Sequence, residues 1–187
     1  MREKSGLKAL LGCAILIAST AAPGTARAQQ EPRPTPPQPS LPAVTAADCE
    51  APATRDALLA DPEAVIETAS RHGMELNRHS ERLMEWRGDQ FVRAGRWTEA
   101  DKRAFAARLL ENEAFVTEAA AGINMAMEVL EPAMQAADES RPAAERCRSL
   151  IAMVGVFDRL TESVERQWRI VDEAYAAEAR RLGVSLD

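Results

Sequence analysis

The stretch DPEAVIETASRHGMELNRHSERLMEWRGDQFVRA, residues 61–94, decides the fold class. Asp61 stands at an N-cap position and Pro62 at N1, where a missing N–H costs nothing. Ala69, Leu76 and Leu83 then recur every seven residues, with Val65 and Ile66 before them and Phe91 after. A strand alternates with period two and cannot produce that pattern, so the segment is expected to form one amphipathic helix. Gly73 and Gly88 each weaken it by up to about 1 kcal/mol relative to alanine, yet the period runs through both. Gly95 is placed to end the helix.

Immediately downstream, Trp97-Thr98-Glu99-Ala100-Asp101 restarts the chain, with Thr98 as N-cap and acids in the first turn. So short a connection makes the two helices antiparallel neighbours. A second helix is expected over residues 99–130 from Phe105, Leu109, Asn112, Val116, Ala119, Ile123, Ala126 and Leu130, which recur in steps of three and four. Asn112, at an apparent core position, is expected to fix register across the bundle. Pro132 disfavours helical geometry at Glu131 and should end or kink the helix there. Ser140-Arg141-Pro142 opens a third helix, residues 141–182, with a stripe through Cys147, Ile151, Val154, Thr161, Val164, Trp168, Val171, Tyr175 and Leu182, closed by Gly183. At 1.5 Å per residue it would be about 60 Å long. Its partners read as shorter, which leaves its far turns free for a second copy of the chain. The expected fold is all-α, an antiparallel up-down-up bundle of three long helices over residues 48–187.

Before the bundle come two segments of different composition. Residues 1–28 have the make-up of a secretory signal peptide: Arg2, Lys4 and Lys8, an apolar run from Ala9 to Ala22, and a small-x-small site at Ala26-Arg27-Ala28. Cleavage near Gln29 would place the mature chain in the periplasm or outside the cell. Leu10-Leu11-Gly12-Cys13 has the outline of a lipobox, but cleavage before Cys13 would strand Ala14-Ile15-Leu16-Ile17 where a polar tether belongs, so lipidation is not expected. Residues 29–47 carry Pro32, Pro34, Pro36, Pro37, Pro39 and Pro42 without apolar periodicity and read as an extended spacer.

Losing residues 1–28 removes Arg2, Lys4, Lys8 and Arg27 against Glu3, a net of +3, so the formal charge of -6 becomes -9. That balance argues against a nucleic-acid partner and against adsorption to an anionic membrane. Two cysteines remain, Cys49 just before the first helix and Cys147 early in the third. An up-down-up path brings both to one end, and export makes oxidation available, so a Cys49–Cys147 disulfide is expected. Closing a loop of about 100 residues stabilises the fold by about 4.7 kcal/mol in the chain-entropy model.

His72, Glu75 and His79 form the one constellation with ligand character, and their offsets of three, four and seven place them on one side of the first helix. Imidazole with carboxylate suits a transition metal, although two turns of rise, about 10.5 Å, separate the histidines. The plainer expectation places Val65, His72, His79 and Trp86 along a seam as half-buried packing groups, with a pH response as a third reading. Met74, Met84, Met125, Met127, Met134 and Met153 suit either an adaptable apolar groove or gap-filling in an alanine-rich core. The chain contains no Gly-x-Ser-x-Gly elbow, phosphate-cradling glycine loop, Cys-x-x-Cys pair or His-Glu-x-x-His motif.

The opening Trp97-Thr98-Glu99-Ala100-Asp101 resembles the Leu-Thr-x-x-Gln helix openings of small periplasmic helical chaperones and metal-stress sensors, over one capped turn and with Trp for Leu and Asp for Gln. The resemblance implies a stress-related binding protein without catalytic residues. Taken with the composition, the functional expectation is an exported, non-enzymatic helical protein that binds another envelope protein and holds no cofactor. The alternative is a metal- or pH-responsive sensor using His72, Glu75 and His79.

Overall fold

The computed structural model describes residues 33–37 and 44–186, which hold six α-helices and no strand. The chain is all-α. The segment expected to be a signal peptide, the Cys13 motif and most of the spacer lie outside the described residues. A short 3-10 turn, Ala46–Cys49, leads into α1 (Pro52–Ala60), α2 (Pro62–Arg93), α3 (Glu99–Leu110), α4 (Glu113–Met127), α5 (Leu130–Ala137) and α6 (Ala143–Leu182).

Local signals set the ends of the long elements. The Asp61 carboxylate accepts from the Ala64 amide at 3.0 Å to cap α2. At α3, Thr98 Oγ1 accepts from the Asp101 amide at 3.2 Å while the Asp101 carboxylate accepts from the Thr98 amide at 2.8 Å. This reciprocal capping box satisfies two donors that the helix leaves unpaired. Gly95 and Gly183 take φ of 65° and 64°, left-handed values that glycine adopts without a Cβ penalty.

The expected single helix over residues 99–130 is three helices, and each break has a local cause. Asn112 is exposed rather than buried, at φ -63° and ψ 128°, and its side-chain oxygen accepts from the Phe115 amide at 3.1 Å. Asparagine competes with the helix for backbone groups, so it starts a new helix here instead of continuing the old one. The second break falls at Glu128 and Val129, not at Glu131. Pro132 has no N–H to give the Glu128 carbonyl, and its ring crowds that carbonyl. Glu128 and Val129 keep right-handed dihedrals and bond three residues back, to Met125 O at 3.0 Å and Ala126 O at 3.3 Å. The α4–α5 join is therefore a tightened 3-10 turn rather than a reversal.

A further element was absent from the expected plan: α1 lies between Cys49 and α2, and the ordered turn begins at Ala46, inside the residues assigned to the spacer. With none of its residues buried, α1 offers little apolar periodicity to read.

α6 is the element on which the others pack. Arg87 of α2 pairs with Asp172, and Trp168 Nε1 donates to Asn77 Oδ1 at 3.1 Å, so contacts advance in the same direction along α2 and α6. The contacts of α4 and α5 run the opposite way: Arg166 with Glu118, Arg159 with Glu128, and Ser149 Oγ donating to Gln135 Oε1. Two apolar clusters result. One gathers Phe91, Trp97, Phe105, Trp168 and Tyr175, with Trp97 ring centroids 4.3 Å from Phe91 and 4.8 Å from Phe105. The other gathers Ala69, Val129, Leu150, Val154 and Phe157. Each fully buried side chain of this size stabilises the fold by about 1.5–3 kcal/mol.

Between the clusters lies a polar waist where the helices approach closely. A Cβ on Gly73 would stand 2.8 Å from Thr161 Oγ1, and one on Gly122 would stand 3.3 Å from Ser163 Oγ. At the hairpin end, the stem of Lys102 lies over Gly88, and its ammonium donates to Glu85 and Asp89 at 2.5 Å each. Burial lowers the affinity of that ammonium for its proton, but the two carboxylates more than offset this and its pKa is raised. At the other end, Cys49 and Cys147 form the expected disulfide, with a Cα–Cα distance of 5.6 Å.

Candidate binding face

Each of α4 and α5 carries two apolar faces, and only one is covered. Phe115, Val129 and Ala136 point inward and are buried. Val116, Ile123, Met127, Leu130 and Met134 point outward, with 48, 47, 61, 40 and 68 % of their surface exposed. Their spacing of seven, four, three and four residues is that of a helix-pairing seam. Scattered exposed aliphatics are ordinary; a row of five large ones in heptad register is the feature that makes this face a candidate for binding.

Val116, Ile123 and Leu130 were expected inside. The true inward set is shifted because Asn112 resets the register: counting from Phe105 and Leu109 through a continuous helix reaches 116 and 123, whereas counting from the new cap puts Phe115 and Gly122 against α6. The methionines divide in the same way. Met153 is buried in the core and Met74, Met84 and Met125 are half-buried, while Met127 and Met134 stand in solvent on the outer row. Methionine at such a place forms a soft, adaptable surface.

The charge around the row is one-sided. From residue 109 to residue 140 the sequence contains acids and not one lysine or arginine. Glu128 and Glu118 draw their cations from α6, at Arg159 (2.7 Å) and Arg166 (3.0 Å). Glu113 and Glu131 are exposed and have no ion pair among the described residues; Glu131 accepts only from Gln135 Nε2, at 2.9 Å.

His72, Glu75 and His79 all lie on α2. His72 and His79 are buried and Glu75 is half-buried. Each imidazole has an Nδ1 without a hydrogen-bond partner among the described residues. Among those residues no group of three or more histidine, cysteine, aspartate or glutamate side chains is gathered to hold a metal. Burial lowers the His79 pKa below 6.5; Arg82, Arg33 and Arg87 push it the same way and Asp172 opposes them. Trp86 continues the stripe and is buried, while Val65 is half-buried, so His72, His79 and Trp86 lie deeper than the half-buried seam positions expected of them.

Two further features are structural. Burial, with Glu85 adding to it, holds the Tyr175 hydroxyl well above the usual tyrosine range. Arg33, within the described part of the spacer, lines a surface groove with Arg87, Asp172, Ala176 and Arg180. Among the described residues no helix is long and apolar enough to cross a membrane. No protein-family model, curated protein or solved structure matches the chain.

Proposed function

We propose that this chain is an exported, non-enzymatic protein that acts by binding another polypeptide, as an adaptor, scaffold or chaperone-like factor, through the outer face of α4 and α5. In this reading the domain is an up-down-up bundle whose middle limb is broken into α3, α4 and α5. The breaks are functional in consequence, since resetting the register at Asn112 is what turns Val116, Ile123 and Met127 outward. Export is supported by the composition of residues 1–28 and by a disulfide that belongs to an oxidising compartment.

One observation carries the reading: five large apolar side chains stand exposed in heptad register on a surface that nothing in the chain's described residues covers. The test uses a labelled amphipathic peptide of about five helical turns, roughly 18 residues of Leu and Gln, added to the full chain purified with its disulfide intact. Binding with a Kd of about 10 μM or tighter, about 7 kcal/mol, that is lost in Ile123→Ser/Met127→Ser is the expected result. A peptide that binds the double variant as well as the wild type would overturn the assignment of the face.

A second reading, a pH-responsive protein, is favoured by the buried His79 among Arg33, Arg82, Arg87 and Asp172. It uses a different part of the molecule and is compatible with the first.

A further inference from the structure

We infer that the partner of the α4–α5 face is a cationic amphipathic helix, with Lys or Arg bordering a strip of large apolar side chains. The inference rests on the polypeptide-binding reading above and adds the chemistry of what is bound.

The first support is geometric. Val116, Ile123, Met127, Leu130 and Met134 follow a seven-, four-, three- and four-residue rhythm, and the 3-10 turn at Glu128 and Val129 keeps helical dihedrals, so the rhythm survives the break. A surface of that period is complementary to a helix lying along it, whose own apolar residues recur every three to four positions. Met127 and Met134 are the most exposed of the row and have the conformational freedom to fit side chains of different shape.

The second support is electrostatic and selects the sign of the partner. Glu113 lies beside Val116 on the surface of α4, and Glu131 is flanked by Leu130 and Met134 on α5; both are exposed and neither meets a cation among the described residues. Of the other cations near these helices, Arg159 and Arg166 are engaged with Glu128 and Glu118, Arg148 with Glu50, and Arg146 donates to the Ala136 carbonyl, while Arg141 lines a groove with Pro132 and Gln135 and pairs with neither Glu113 nor Glu131. An incoming helix with basic flanks would complete Glu113 and Glu131, whereas an acidic one would set like charges against each other. The same argument disfavours a second copy of this chain as the occupant. Two α4–α5 faces brought together would oppose two acidic borders with no basic residue between positions 109 and 140 of either chain. It equally disfavours the surface of an anionic bilayer.

The experiment compares three peptides of about five turns, built from Leu with Lys, Leu with Gln, or Leu with Glu, by fluorescence anisotropy against the full chain with its disulfide intact. At about 20 mM salt the Lys peptide should bind at least tenfold more tightly than the Gln peptide, and the Glu peptide more weakly still; at about 0.5 M salt, where screening shortens the reach of charge to a few ångströms, the Lys advantage should shrink to about twofold. Glu113→Gln/Glu131→Gln should remove most of that advantage while leaving Gln-peptide binding in place. These substitutions are on the surface and leave the core untouched, and circular dichroism checks the fold.

Equal affinity for the Lys and Gln peptides, or a preference for the Glu peptide, would overturn the charge inference while leaving polypeptide binding standing. No binding of any of the three would remove both. A wild-type dimer in sedimentation velocity that dissociates in Ile123→Ser/Met127→Ser would assign the face to a second copy, and tight binding to phosphatidylglycerol vesicles abolished by the same substitutions would assign it to a membrane; either overturns the inference.

Discussion

Gly73 of α2 faces Thr161 of α6 so closely that a Cβ at residue 73 would lie 2.8 Å from the threonine hydroxyl oxygen. That hydroxyl is held in place by donating to the Phe157 carbonyl at 3.0 Å, and a β-branched side chain has little freedom to move aside. The contact explains why the first long helix tolerates a glycine in its interior. Alanine would gain up to about 1 kcal/mol of helix propensity, but forcing a methyl group into a packed interface costs about 1–3 kcal/mol. Gly73→Ala should therefore destabilise the protein by about 1 kcal/mol in urea unfolding, and Gly73→Ala/Thr161→Ala should recover part of the loss. A Gly73→Ala protein more stable than wild type would contradict the close approach.

The disulfide joins residues 98 apart, and it ties the entry turn before α1 to the second turn of α6. Reduction, or Cys49→Ala/Cys147→Ala, releases this closure in the unfolded chain and should lower unfolding free energy by about 2–5 kcal/mol. Urea melts with and without a reducing agent measure it, with the double variant as the control that should not respond to reductant.

His79 gives a pH dependence with a definite sign. Its folded-state pKa lies below the unfolded value of 6.5, because burial and the nearby Arg82 disfavour the imidazolium. The native protein thus refuses a proton that the unfolded chain accepts. The contribution to stability is fully present above pH 6.5 and is lost as pH falls through the folded-state pKa. Arg33 and Arg87 reinforce the effect and Asp172 opposes it. Stability should fall below pH 6.5 with a slope of up to about 1.4 kcal/mol per pH unit from this group, and His79→Gln should flatten that part of the curve. Equal slopes in the two proteins between pH 5 and 7 would show that His79 does not titrate as placed.

Much of this architecture is legible in the sequence, because caps and glycines leave local marks. Asp61-Pro62, the Thr98/Asp101 box, Gly95 and Gly183 fix the ends of α2, α3 and α6 within a residue or two. The Cys49–Cys147 disulfide is legible from an expected up-down-up path and an expected export, and the two cysteines are bonded. The middle limb does not read correctly, for a definable reason. Its apolar residues satisfy three- and four-residue steps on two faces, and periodicity does not say which one is covered. Asn112 holds the answer: a residue that prefers caps, at a position expected in the core, is evidence of a helix start. The exposed row is hidden for the same reason, since a continuous helix places Val116 and Ile123 in the interior.

Substitutions on that face should separate stability from binding. Ile123→Ser and Met127→Ser remove side chains that are 47 and 61 % exposed, so each should change unfolding free energy by less than about 0.5 kcal/mol. Phe115→Ala, earlier in α4 on the covered side and 4 % exposed, should cost about 3–5 kcal/mol. Comparable losses at Ile123 and Phe115 would mean that both faces of α4 are buried.

The most direct measurement is an NMR titration of isotope-labelled methionine methyl groups with the Leu/Lys peptide. Met127 and Met134, which are 61 and 68 % exposed on the outer row, should shift or broaden saturably, while the buried Met153 stays fixed. Unmoved Met127 and Met134 resonances in the presence of bound peptide would contradict binding on this row, because the peptide would then lie elsewhere on the protein.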